Sequence, residues 1–388
     1  MQPQVDQVEP GVPEELAASV RRAFEESYGG PPARVGRAPG RVNLIGEHTD
    51  YNGGLVLPVA LPHATYAALA PRTDGRVRID SRQAEPWEGT LDDLAPGGPS
   101  GWAAYAGGVL WALREAGLGV EGADVYVDGT VPLGAGLSSS AALECAVAVA
   151  VAPDADRADL AAACIRAETE VAGAPTGGMD QHVALLAREG HALLIDFGSD
   201  ETRQVPLDLA GRTLLVTDTR VSHALTDGGY GSRRDDCEEA ARLLGVPSLR
   251  EATLDAVEGI ADERVRRRAR HVVTEIARVT ETVDALERGD WDAVGATFRR
   301  SQASMRDDFE ISTPELDAAV AIAVEAGALA ARMTGGGFGG SSVAIVPDER
   351  VAAVARAIDA AFVLEGFRAP AHLVATPSGG AGLVPLPA

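Results

Sequence analysis

The sequence predicts an α/β protein of two domains, and three observations carry that reading. The 388 residues are 46 % hydrophobic, enough chain for two cores rather than one. Strand-like alternation and helical periodicity interleave along the first half. The second half is mostly helical until its end. The change of character places a boundary near residue 200, giving an N-terminal domain over 1–200 and a C-terminal domain over 201–388.

Leu16, Val20, Phe24 and Tyr28 recur at helical spacing until Gly29-Gly30-Pro31-Pro32 stops the run. From Val35 to about Arg82, short apolar runs punctuated by Gly and Pro read as strands and hairpins. Residues 102–116 predict a helix, and 123–130 a strand through alternating Val125 and Val127. The stretch 138–152 is apolar all round, the mark of a buried helix. Helices are expected at about 157–172 and 179–188, then strands at 193–197 and 214–218 joined by a polar connection. Over 264–288, Val265, Ala269, Val272, Ile276, Val279, Val283 and Leu286 alternate steps of four and three, one buried stripe on a long helix. Arg264, Arg266, Arg267, Arg268 and Arg270 read as its solvated side. A helix over 314–332, a glycine-rich loop, a strand at 343–346 and a helix at 349–363 follow. The Gly/Pro-rich tail is expected to cap the surface.

Composition excludes several function classes. No run of about 18 apolar residues occurs, so no membrane span is expected. The polar, acidic start argues against a secretory signal. Cys145, Cys164 and Cys237 are scattered without metal-site spacing and read as reduced thiols, so a cytoplasmic location is expected. A formal charge of −23 repels nucleic acid and anionic membrane. A phosphate-bearing ligand must then be held by local dipoles, a metal ion or a few placed cations. All 34 basic residues are arginine. Without lysine there is no Walker-A loop, no protein-kinase strand lysine and no Schiff base. The two asparagines of the chain, Asn43 and Asn52, fall within one short segment.

That segment, residues 40–54, reads Gly-Arg-Val-Asn-Leu-Ile-Gly-Glu-His-Thr-Asp-Tyr-Asn-Gly-Gly. Glu47, His48 and Asp50 crowd ahead of a turn, and such groups can converge on a small polyhydroxylated ligand. A metal site competes, although the helical two-ligand spacing is missing; a plain polar loop is the other reading. The second segment, residues 131–142, runs a glycine-rich turn straight into a serine-started helix. Open N–H groups of a first helical turn make an anion site, and serine can cap the helix or ligate Mg²⁺. Capping of an ordinary helix stands as the alternative. The third, residues 333–342, has five glycines, more than a turn needs, and implies backbone brought close to a ligand or to the other domain.

Together the three segments resemble the signature motifs of the small-molecule kinases that include the galactokinases, homoserine kinases and mevalonate kinases (the GHMP superfamily). The first segment is similar to the galactokinase signature in particular. The resemblance runs from about Arg34 to Val346. It implies the two-domain α/β GHMP-kinase-like fold with the active site in the inter-domain cleft. It implies a kinase that moves the γ-phosphoryl of ATP to the anomeric hydroxyl of galactose with Mg²⁺. Asp180 and Arg41 would be catalytic. Glu47, His48, Thr49, Asp50, Gly177 and Tyr230 would bind the sugar. Gly134, Ala135, Gly136, Leu137, Ser138, Ser139 and Ser140 would wrap the phosphates, with Ser140 and Glu168 as metal ligands. The sequence departs from the usual pattern at Gly178, Glu170 and Val171, and Trp102-Ala103-Ala104-Tyr105 keeps the spacing of a nucleotide-side segment without its usual neighbours. Phosphorylation of N-acetylgalactosamine is one alternative. A non-catalytic sensor of galactose and ATP is another, although Arg41, Asp180 and Ser140-Ala141 are all retained. A monomer is the expected state.

Overall fold

In the computed structural model, residues 6–221 and 229–385 are described; Met1 to Val5 of the acidic start fall outside them. The main sheet of the first half runs β13 (Gly382–Leu383), β1 (Arg34–Asn43), β3 (Pro58–Pro71), β6 (Ala123–Gly129), β4 (Arg76–Ser81) and β5 (Ala84–Thr90). Its pairings are antiparallel except for β4 with β6. Side chains alternate across it with the period of two expected of strands. Val35, Ala64, Tyr66, Ala68 and Tyr126 face α1 (Pro13–Tyr28), which contributes Ala17, Val20 and Phe24. Ala67, Leu69, Val125 and Val127 face the other layer, α2 (Trp102–Glu115), α3 (Ser139–Val151), α4 (Arg157–Arg166) and α5 (Met179–Leu186).

A second sheet runs β10 (Ala330–Thr334), β11 (Ser341–Pro347), β9 (Arg212–Asp218) and β12 (Ala371–Ala375), antiparallel throughout. One face packs on α10 (Pro314–Glu325) and α11 (Val351–Glu365). The other buries Val216, Val343 and Ile345 against α8 (Glu263–Glu287), α9 (Trp291–Ser304) and, from the first half, Val42, Leu44 and Leu57. One hydrophobic core therefore spans the seam between the halves. A small third sheet joins β2 (Leu55–Val56), β7 (His191–Asp196) and β8 (Glu201–Pro206). The helices α6 (Gly229–Leu244) and α7 (Leu254–Glu258) pack on α8. Among the described residues no helix is long and apolar enough to cross a membrane.

Four expectations differ from this fold. The polar connection between β7 and β9 contains a strand, β8, which pairs with β7. The helix expected over 314–332 stops at Glu325; Gly327 turns the chain at φ 109°, and the alanine-rich residues after it form β10 by pairing with β11. The tail does not cap the surface. It supplies β12 to the second sheet and β13 to the edge of β1. Finally, the arginines of α8 are only partly a solvated side: Arg264 is exposed and Arg266, Arg267 and Arg270 half-buried, but Arg268 is buried. Arg268 is 3 % exposed and reaches Asp236, Glu310 and the Asp308 carbonyl, while Arg270 pairs with Glu258 and Asp308.

Candidate active site

The site lies where β1, the turn into α3, the first turn of α5 and the glycine-rich loop after β10 meet. The register of β1 against β3 shifts between Pro39 and Arg41. Gly40 lies at that irregularity, and a Cβ there would sit 2.7 Å from the Leu137 carbonyl oxygen, so only glycine lets the turn into α3 close on the strand. The Arg41 amide then donates to that carbonyl at 3.1 Å.

Arg41 grips Asp180 with two parallel bonds, Nε to Oδ1 at 2.7 Å and Nη2 to Oδ2 at 2.9 Å, and its Nη1 donates to the Gly136 carbonyl at 2.6 Å. This fork joins the turn into α3 to the carboxylate at the start of α5. Ser138, held in the left-handed region at φ 59°, donates its hydroxyl to Asp180 Oδ2 at 2.5 Å. It makes no side-chain cap for α3, which leaves the backbone N–H groups of that first turn open to an anion. Gly134 and Gly136 also take positive φ, whereas Ala135 and Leu137 bury their side chains in the shared core. Ser341 fastens the third segment to this turn by donating to the Ala135 carbonyl at 2.7 Å.

Ser140 donates to Glu168 Oε1 at 2.9 Å. Glu168 sits in a single π-helical turn, Ala167–Val171, that continues α4, and Gln181 donates to its other oxygen at 2.5 Å. Burial, with Asp180 nearby, pushes the Glu168 carboxyl up to about 7. A buried carboxylate with a hydroxyl beside it is a hard-oxygen pair suited to Mg²⁺, which normally keeps waters and substrate phosphates as its remaining ligands. Among the described residues no cluster of three or more His, Cys, Asp or Glu forms a closed metal cage.

A cavity of about 940 Å³ opens over these groups, and Arg41, Glu47, His48, Asp50, Glu168, Asp180 and Tyr230 all line it. Burial and the neighbouring Asp180 raise the Asp50 carboxyl to about 6. Burial lowers His48 to about 4, so the ring is neutral near pH 7. Its Nε2 lies 3.1 Å from the Gly336 carbonyl, which can only accept. The proton therefore sits on Nε2, and Nδ1 accepts from the Tyr51 hydroxyl at 2.8 Å. With both nitrogens engaged, His48 shapes the wall, its ring tilted against Tyr230 at 4.9 Å between centroids, rather than offering a free hydrogen bond.

Thr49 and Gly177 stand behind the wall. Thr49 is fully buried, and its hydroxyl serves the Gly46 and Leu55 carbonyls at 2.8 and 2.6 Å. Gly177 lies flat against Asp50: a Cβ there would meet Asp50 Oδ2 at 2.0 Å. A smaller cavity of about 110 Å³ adjoins the start of α3, lined by Trp102, Leu133, Val131, Gln83, Thr65 and Ser139.

Sequence reasoning missed the support behind Glu47. Arg332 of β10 is fully buried and pairs with Glu47 and with Glu275 of α8. Its signal was a lone charge inside the apolar run 328–333. Glu275 gave none, because it occupies an ordinary helical position. It accepts from the Gly46 amide, from Ser301 and from Arg278. Burial pushes its carboxyl upward, but Arg278 and Arg332 outweigh burial and hold it at about 2.

Known proteins resemble this chain in sequence and fold. The galactokinase galactose-binding signature matches residues 22–71, the GHMP kinases N terminal domain residues 104–188 and the GHMP kinases C terminal model residues 282–364. A galactokinase of Streptomyces coelicolor is 51 % identical over 381 residues, covering 95 % of this chain and 98 % of that protein. One from Mycobacterium tuberculosis is 46 % identical over 343 residues, covering 86 % and 94 %. The crystal structure of Lactococcus lactis galactokinase complexed with galactose superposes with a TM-score of 0.90 at 30 % identity, over 94 % of this chain and 99 % of that one. A mevalonate kinase, at a TM-score of 0.64 and 15 % identity over 88 % of this chain and 98 % of its own, shares the fold alone. The chain belongs to the galactokinase family of the GHMP kinases.

Proposed function

We propose that the chain phosphorylates galactose at its anomeric hydroxyl, using ATP and Mg²⁺ and releasing ADP. The observation that carries the reading is the Asp180 carboxylate, held by Arg41 and Ser138 where the acidic cavity meets the open first turn of α3. A sugar in the cavity would donate hydroxyls to Glu47 and Asp50 and lie against Tyr230. The phosphates would take the N–H groups of the turn 134–140, and the base would enter the small cavity beside Trp102.

Asp180 would accept the proton of the anomeric hydroxyl as the phosphoryl group transfers. Transfer of this kind is loose, so charge and alignment count for at least as much as the base. Arg41 supplies both: its fork fixes the carboxylate, and its charge faces the transferred group. Ser140 and Glu168 would hold Mg²⁺, which when bound offsets the charge on the phosphates. Two units joined near residue 200 would then contribute to one cleft, the first carrying both binding loops and the second closing its back.

The test is ATP consumption by the purified protein with galactose, N-acetylgalactosamine, glucose and homoserine in parallel. Galactose-dependent turnover that disappears with EDTA and in Asp180→Asn is expected. Calorimetric binding of galactose and ATP without turnover on any acceptor would overturn the kinase reading and favour a sensor.

A further inference from the structure

Glu47 is 2 % exposed and belongs to the first half of the chain, yet its partners come from the second. Its Oε1 accepts from the Gly335 amide at 3.1 Å, and its Oε2 pairs with Arg332. Arg332 also donates from Nη1 to the Leu44 carbonyl at 2.8 Å, so one guanidinium holds both ends of the segment 44–47. Glu275 closes the middle of that segment through the Gly46 amide at 3.2 Å. His271 completes the grip at the Glu47 carbonyl, 3.1 Å from Nε2. Arg332 also meets Glu275, the Met305 sulfur and the Phe298 ring, so the guanidinium is anchored in the core of the second half while two of its nitrogens serve the segment 44–47.

We propose that Arg332 is a positioning residue of the sugar site, holding the Glu47 carboxyl in place at the cavity wall from the opposite half of the chain. The inference rests on the reading of Glu47 as a sugar-binding group. The charged and titratable groups around Glu47 are few. From β10 comes Arg332. From α8 come Glu275, Arg278 and His271, with Arg278 bonded to Glu275 at 2.7 Å. From its own loop comes His48. Burial lowers both histidines, to about 4 for His48 and about 3 for His271, so neither adds a cation at neutral pH. Burial is the largest influence on the Glu47 carboxyl and, with Glu275 adding to it, leaves it above its usual value, while Arg332 holds that rise down. Removing the guanidinium charge therefore moves the Glu47 proton to still higher pH and favours the acid where the sugar needs an acceptor.

The experiment is calorimetric galactose binding from pH 5 to 9, on the full chain, for wild type, Arg332→Gln, Arg332→Lys and Glu47→Gln. Glutamine keeps hydrogen-bonding capacity toward Leu44 and loses the charge; lysine keeps the charge. In Arg332→Gln the Kd at pH 7 should weaken about ten- to hundredfold, the weight of one charge-assisted hydrogen bond, and recover as pH rises. Arg332→Lys should keep the wild-type pH midpoint, with Kd within about threefold, the residue left by losing the fork geometry alone. The double variant Glu47→Gln, Arg332→Gln should lose this pH dependence. A midpoint unchanged in Arg332→Gln, or a weakening equal at every pH, overturns the proposal. If Arg332→Gln does not fold, as judged by its melting curve, Arg332→Lys decides: an upward shift of its midpoint overturns it. Wild type that binds no galactose, or Glu47→Gln that binds as wild type does, counts against the reading of the site instead.

Discussion

Replacing Gly177 with alanine tests how tightly the wall of the cavity is built. The added Cβ would lie 2.0 Å from Asp50 Oδ2 and 2.4 Å from its Cγ, where ordinary contact begins at 3.4 Å. One of the two must retreat by about 1.4 Å, several times what a packed wall gives without strain. The backbone at Asp50 cannot follow, because the turn that carries it is pinned by the buried Thr49 hydroxyl and by Asn52 donating to the His48 carbonyl. Either the Asp50 carboxylate rotates out of place or the strain passes along 177–180 to Asp180. A misplacement near 1 Å at a reacting centre can cost about 10²-fold, so kcat/KM for galactose should fall on that order while KM for ATP holds. Coupled ADP-release rates at varied galactose measure it, with Gly30→Ala as a control, since nothing lies within 4 Å of that added Cβ. The clash should also vanish with its partner: Gly177→Ala should lower the melting point in wild type by more than in an Asp50→Ala background. Galactose kinetics within threefold of wild type, with no such coupling, would refute the argument.

Arg41→Ala removes the fork on Asp180 and the cation beside it. The rate should drop on the order of 10²–10³, with ATP binding retained by calorimetry. The Asp50 carboxyl is raised to about 6, so its anion is present above that pH and lost as pH falls through it. At saturating ATP and Mg²⁺, which hold Glu168 in its ionised form, a pH profile of kcat/KM for galactose should fall about tenfold per unit below 6, and that limb should be absent in Asp50→Asn. Thr49→Val leaves the Gly46 and Leu55 carbonyls without their donor and should cost ~1–3 kcal/mol in urea melts.

How much was legible in the sequence depended on whether a signal was local. The stripe on α8 and the apolar α3 were readable because helical burial repeats every three or four residues. The three glycine-bearing segments were readable because close backbone approach demands glycine where it occurs, as at Gly40 against Leu137. The strands β8, β10 and β12 were not, because what makes them strands is a partner far along the chain: Ala330 meets Ile345, and Leu373 meets Val216. In the site, the chemical identity of Asp50 and Asp180 could be read, but which way a group faced could not. Thr49 and His48 sit in the same short motif as Asp50, yet one points into the protein and the other has its nitrogens occupied. Arg332 and Glu275 lie 57 residues apart and meet only in the folded chain.

The seam between the halves carries a consequence for how substrates are received. Thr334 closes a two-way link with Asn43, accepting from its amide at 2.8 Å and donating to its carbonyl at 2.9 Å. Ser341 reaches Ala135, Arg332 reaches Leu44, and a single core runs beneath all three. Jaws that swing shut over a ligand need a hinge with little behind it, and here the back is riveted at several points. A ligand entering the cavity would therefore meet a wall already shaped, and little of its interaction energy would be diverted into rearranging the protein.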